Sequence, residues 1–226
     1  MTGGPARRAP ALPPNNLLPL ALQLFLGHLI LRPWTRFFCR IRVRRSRHFP
    51  DGACVLASNH RSYSDPGLIG MWQARPISYF ARDNLWEKPV IAFFLNAMYG
   101  IPIDRANPGI SSMKGAVDRL RRGIPVLVFP EGTRTRNGRL SPLHEGPALF
   151  ARRAGVPLVP VYLFRSEALW PRDVKLPRLY LHHLEIRFGS PIIPPSTLDP
   201  RAQDTWVSQR LTAWMQRQER ELLGPA

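Results

Sequence analysis

The apolar pattern changes period twice before it settles. Residues 17–31 are almost wholly apolar, broken by Gln23, Gly27 and His28. Helical from about residue 20 to 32, this stretch would span ~20 Å at ~1.5 Å per residue, short of the ~30 Å hydrocarbon core of a bilayer. The pattern therefore predicts shallow insertion rather than a clean span. Trp34, Phe37 and Phe38 would sit near the lipid boundary, with Arg32, Arg36 and Arg40 reaching the headgroups. A secretory signal is disfavoured, because no small-x-small cleavage site follows the apolar run. From Arg40 the period becomes two: Ile41 and Val43 alternate with Arg42 and Arg44, which predicts a half-exposed strand with a basic outer face. Phe49-Pro50-Asp51-Gly52 then reads as a turn.

Beyond residue 53, apolar runs of strand length alternate with helical stretches. Strands are expected at 53–57, 77–81, 101–104, 124–129, 156–164 and 179–188, and helices within 88–98, 111–122 and 145–153. A further helix opens at Pro66, with proline in its first turn. Over 202–223, Trp206, Leu211, Trp214 and Met215 recur at helical spacing among charged residues. Such alternation predicts an α/β fold: a single domain with a largely parallel central sheet flanked by helices, plus an N-terminal hydrophobic membrane-associating segment. The expected organisation is a disordered N-terminus at 1–16, the membrane-associating segment at 17–38 and the folded domain at 39–226. A chain of 226 residues is long enough for one substantial core.

Charge narrows the partners. The formal net charge is +17, which implies an anionic partner: nucleic acid, an acidic membrane surface or a phosphorylated substrate. Lysine occurs only at positions 88, 114 and 175, so arginine supplies nearly all of the positive charge. The two cysteines, Cys39 and Cys54, are too few for a disulfide framework, and Cys54 within an apolar strand reads as a buried, inert thiol. No Cys/His cluster has zinc spacing, and the adjacent His182 and His183 would point to opposite faces of a strand, so no metal site is expected.

The stretch with the most chemistry is Asn59-His60-Arg61-Ser62-Tyr63-Ser64-Asp65. It joins a predicted strand to a predicted helix, and open α/β sheets place ligands on such loops at the carboxyl ends of strands. An aspartate five residues after a histidine can fold back to accept the imidazole Nδ1–H, leaving Nε2 to take a proton. Ser64 reads as a cap for the following helix. There is no Gly-x-Ser-x-Gly elbow and no activated cysteine, so nothing points to a protein nucleophile. An isolated His-x4-Asp pair is common by chance and reads most simply as a loop histidine beside a helix cap.

This pair is not isolated. Gly100-Ile101-Pro102-Ile103-Asp104-Arg105, Phe129-Pro130-Glu131-Gly132-Thr133-Arg134 and Val156-Pro157-Leu158-Val159-Pro160-Val161 follow in order, each at the edge of an apolar run. With the Asn59 to Asp65 stretch, these blocks resemble those of the glycerolipid acyltransferase superfamily, the lysophosphatidic acid and glycerol-phosphate acyltransferases, over about residues 40–190. The resemblance implies acyl transfer from a thioester to 1-acylglycerol-3-phosphate, giving phosphatidic acid, by direct attack of the acceptor hydroxyl. His60 would be the general base, oriented by Asp65. Arg105, Glu131, Gly132, Thr133 and Arg134 would bind the glycerol-phosphate acceptor. Glu131, an acid, is expected to hold Arg105 or Arg134 or to bond an acceptor hydroxyl rather than touch phosphate.

No bound cofactor is implied; acyl-CoA or acyl-carrier protein would be a co-substrate. The implied partners are a lysophospholipid acceptor, the thioester donor and an anionic membrane surface, at the cytoplasmic face of the membrane. One departure stands out: many relatives carry lysine just before the glycine at 146, whereas here Glu145 follows His144. Alternatives are the same chemistry on glycerol-3-phosphate, another lysophospholipid or an amino-lipid, or a basic non-enzymatic module binding membrane or nucleic acid. No recognised nucleic-acid motif is present.

Overall fold

Apolar runs become the strands of one sheet, and the amphipathic stretches between them become its crossovers. The computed structural model describes residue 29 and residues 32–224, except 74, 98, 104–109, 136, 172–173, 175–177 and 179–182. In chain order the elements are α1 (Arg32–Phe38), β1 (Arg42–Arg45), β2 (Val55–Ser58), α2 (Asp65–Met71), β3 (Ser78–Arg82), a 3-10 turn (Asp83–Glu87), α3 (Pro89–Ala97), β4 (Ile101–Ile103), α4 (Ile110–Arg121), β5 (Val126–Val128), α5 (Gly146–Ala154), β6 (Leu158–Phe164), the short α6 (Ser166–Leu169), β7 (Glu185–Phe188) and α7 (Pro200–Leu223).

The strand order is β1-β7-β6-β2-β5-β3-β4. From β6 to β4 every neighbouring pair is parallel, as expected where helices return the chain to the same end of the sheet. Direction reverses once, at the antiparallel β6–β7 pair, and β1 lies parallel to β7 as the edge. The predicted α/β architecture with a largely parallel sheet is therefore present.

Side-chain alternation splits the core in two. Cys54 and Leu56 of the β2 run join Leu127, Val159 and Leu163 against α2, whereas Val55 and Ala57 join Val126 and Val128 against α4, α5 and α7. Both faces of β2 are completely buried, which is why its sequence reads as an unbroken apolar run.

Several boundaries differ from the sequence expectation. The last strand begins at Glu185 rather than 179; residues 179–182, His182 among them, lie outside the described residues. A helix forms at Arg32–Phe38, where the pattern suggested only a flank at the lipid boundary. The expected disordered 1–16 lies outside the described residues, as does the apolar stretch 17–31 except Leu29. Among the described residues, no helix is long and apolar enough to cross a membrane.

One close approach fixes where β7 ends. A Cβ on Gly189 would stand 2.7 Å from the Pro160 ring and 2.8 Å from the Trp214 indole, so α7 and β6 meet across bare backbone. Pro160 has no N–H to donate, but its carbonyl accepts from the Gly189 N–H at 2.9 Å. Gly189→Ala is expected to destabilise the fold by about 1–3 kcal/mol through overpacking, read as a lower urea midpoint at unchanged slope.

Candidate active site

The chain leaves β2 under tension from several anchors, and together they set the position of His60. Asn59, one residue past the strand, is buried and bonds Leu163 of β6 twice: its Nδ2 donates to the Leu163 carbonyl at 2.9 Å, and its Oδ1 accepts the Leu163 N–H at 2.7 Å. The amide side chain thus continues the β2–β6 ladder after the β2 backbone has turned away. Next, the imidazole Nδ1 of His60 meets Asp65 Oδ2 at 2.8 Å, the pairing that the five-residue spacing predicts. The same oxygen accepts the backbone N–H of Arg61 at 2.6 Å and of Ser62 at 2.7 Å. Asp65 is fully buried at the first position of α2, where the positive end of the helix favours its charge.

The loop after β5 braces the histidine from the other side. Glu131 is buried, and one of its oxygens accepts the His60 N–H at 2.8 Å while the other accepts the Ser141 N–H at 2.9 Å. Burial pushes its carboxyl up from the usual carboxylate value, against the pull of these amide bonds. The His60 carbonyl accepts from Thr135 N–H at 2.9 Å. Phe129 lies flat on the imidazole, with ring centroids 3.9 Å apart and planes 17° from parallel. With one nitrogen on Asp65 and one face on Phe129, the ring has little freedom to rotate.

Beside His60 lies a cavity of about 340 Å³, small for a ligand pocket and walled mostly by apolar side chains from β3, β4, β5, α4 and α5. Leu127, Val128, Phe129 and Pro130 line it with Phe80, Met113 and Phe150, and Phe129 is the wall residue stacked on His60. Such a cavity suits a hydrocarbon chain whose polar end meets the imidazole.

The other expected site residues are distributed unevenly. Gly132 lines the cavity and has a φ of +69°, a backbone conformation that glycine adopts without strain. Thr133 is exposed on the same loop. Arg134 lies with its guanidinium carbon 3.4 Å from the centre of the Tyr63 ring, which joins the two motif loops by a cation–π contact. Arg105 lies outside the described residues. Both oxygens of Glu131 take backbone amides, from His60 and Ser141, because the two loops converge on it in the protein interior. Ser64 does occupy the cap position of α2, but its hydroxyl bonds Ser62 at 2.8 Å and makes no capping bond.

Sequence reasoning also missed participants. Arg61 is buried, donating to the Tyr162 hydroxyl at 2.9 Å with Glu167 and Glu219 nearby at 3.5 and 4.0 Å. In so basic a chain nothing marked this one guanidinium as internal. His144, noted only as Glu145's neighbour, lines the cavity together with His60. Neither serine of the loop nor either cysteine is poised as a nucleophile. Ser62 Oγ donates to the Trp170 carbonyl at 2.9 Å, and burial raises the Cys54 thiol to about 11.

Comparison with known proteins bears on the same residues. The family model described as Acyltransferase matches residues 40–164, which include β2, His60, Asp65, the Glu131 loop and β6. The chain belongs to the acyltransferase family. This family member is 29% identical over 153 residues to a chloroplastic 1-acyl-sn-glycerol-3-phosphate acyltransferase of Brassica napus, covering 64% of this chain and 44% of that one. It is 34% identical over 122 residues to the 1-acyl-sn-glycerol-3-phosphate acyltransferase of Bacillus subtilis, covering 53% and 60%. With the alpha form from Mus musculus it shares 33% over 188 residues, covering 78% and 61%. The chain spans about half the length of the curated relatives it matches. In fold it is similar to the crystal structure of the 1-acyl-sn-glycerophosphate acyltransferase PlsC of Thermotoga maritima, with a TM-score of 0.66 at 20% identity over 87% of this chain and 78% of that one.

In this acyltransferase-family chain Asp65 both orients the imidazole and holds two amides. Asp65→Asn is expected to lower turnover by on the order of 10²- to 10⁴-fold while leaving substrate binding nearly intact, measured as kcat and KM on the purified protein.

Proposed function

We propose that the protein is a 1-acylglycerol-3-phosphate O-acyltransferase, moving a fatty acyl group from an acyl thioester to the acceptor hydroxyl to give phosphatidic acid. The observation that carries this reading is the imidazole held by Asp65 at the wall of an apolar cavity, beside the glycine of the Glu-Gly-Thr-Arg loop. The names of the relatives point the same way.

In this reading the acyl chain occupies the cavity and presents its thioester carbonyl near His60. Nε2 of His60 removes the proton from the acceptor hydroxyl as its oxygen attacks that carbonyl. The tetrahedral intermediate then expels the thiolate, which takes the proton back from the imidazolium, so the base is regenerated and no acyl-enzyme forms. Asp65 keeps Nδ1 protonated and stabilises the imidazolium in between. Gly132, Thr133 and Arg134, with Arg105, hold the acceptor phosphate, a task suited to the planar fork of arginine. Glu131 supports this loop from beneath through its amide bonds. The donor is acyl-CoA or an acyl-carrier protein.

We also place the protein at the cytoplasmic face of the membrane. Support comes from α1, where Phe37 is 75% exposed beside Arg36, and from Leu29 just before it, 66% exposed. Exposed aromatics next to arginines suit the boundary between lipid tails and anionic headgroups.

Two measurements test these proposals. His60→Ala should reduce transfer from acyl-CoA to 1-acylglycerol-3-phosphate by ~10²- to 10⁴-fold with the fold retained by circular dichroism; wild-type turnover in that variant would eliminate the assignment. A panel adding glycerol-3-phosphate, other lysophospholipids and an amino-lipid identifies the acceptor. Phe37→Asp should weaken co-sedimentation with vesicles containing anionic lipid while leaving the melting temperature within a few degrees, because most of the residue's surface is already exposed in the free protein.

A further inference from the structure

The cavity beside His60 has three polar side chains in its lining: His60 itself, Ser112 and His144. The remaining wall is apolar side chains, prolines and glycines. A few convergent polar groups in an apolar cavity are the ones that orient a ligand. Ser112 is buried on α4, whereas His144 stands exposed at the rim.

The position of His144 is fixed. Its N–H donates to the Pro130 carbonyl at 2.9 Å. The Cδ2 and Nε2 edge of its ring lies 3.7 Å from where a Cβ on Gly132 would be. Residues 129 and 130 thereby connect the two imidazoles, since Phe129 stacks on His60 and Pro130 anchors His144. Among the described residues, no hydrogen-bond partner is found for the His144 ring, which leaves its donor for a ligand. An imidazole donates from one nitrogen when neutral and from both when protonated, and a phosphate ester accepts either.

We propose that His144 is a substrate-binding residue that donates to the phosphate of the acceptor and sets the preference for a phosphorylated over an unphosphorylated acceptor. The inference rests on the acyltransferase reading above. The ring lines the same cavity as His60 and lies against the Gly132 loop. A phosphate lodged over Gly132, where no side chain intervenes, is within reach of this ring while the acceptor hydroxyl approaches His60. Glu145, by contrast, is the cap residue of α5 and does not line the cavity.

The test compares 1-acylglycerol-3-phosphate with the corresponding monoacylglycerol as acceptors for full-length wild type, H144A, H144Q and H144K, at fixed acyl-CoA. A charge-assisted hydrogen bond is worth about tenfold or more in affinity. H144A should therefore raise KM for the phosphorylated acceptor by about that factor, with kcat within roughly threefold, and the phosphate preference should shrink equally. H144K should restore it and H144Q should restore part. The role is overturned if H144A and H144Q keep the wild-type KM and phosphate preference, if kcat falls at constant KM, or if only the KM for acyl-CoA changes. Wild-type protein inactive on both acceptors would instead overturn the 1-acylglycerol-3-phosphate reading itself.

Discussion

One carboxylate oxygen organises the loop between β2 and α2. Asp65 Oδ2 gathers the His60 imidazole and the amides of Arg61 and Ser62, all at 2.6 to 2.8 Å. Three donors aimed at one buried oxygen wind the backbone between residues 60 and 65 into a tight turn around it. The geometry of the imidazole and the shape of the loop are thus one property. A change at residue 65 that removes this acceptor oxygen disturbs both.

Around that turn the structure adds restraints from distant parts of the chain. Asn59 ties the exit of β2 to β6, Glu131 ties His60 to the loop after β5, and Arg61 reaches Tyr162 of β6 and the end of α7. Glu219 of α7 also accepts the Leu140 N–H at 2.7 Å, so the last helix is attached to both the histidine loop and the 131–141 loop. Each of these groups is polar and largely buried, and each has a partner of complementary kind. Buried polar groups satisfied in this way specify one arrangement of the loops at the end of an otherwise apolar sheet.

Much of this was legible in the sequence, and the misses share a cause. The parallel strands were readable because residues buried on both faces leave continuous apolar runs, as in Cys54 to Ala57. The His60–Asp65 pair was readable because its geometry is local, five residues around a strand-to-helix turn. What escaped depends on distant contacts. The bracing role of Glu131 was not readable because its amide partners, His60 and Ser141, are remote or inconspicuous in sequence. Arg61 was one arginine among many until Tyr162 enclosed it, and His144 acquired meaning only when its ring came to rest against Gly132. Ser64 has the right residue type for a cap, yet a nearer hydroxyl claims it.

The same distances bear on how the molecule acquires its site. Asn59 finds its partner 104 residues away and His60 finds Glu131 71 residues away, and β2 itself pairs only with β5 and β6. Closing loops of that length precedes any reward from the contacts they permit, so such pairings form slowly relative to local helices. On a ribosome, the histidine emerges long before the strands that flank it. The nascent chain therefore carries this imidazole in an unbraced state, and its final setting arrives only when β6 slides in beside β2.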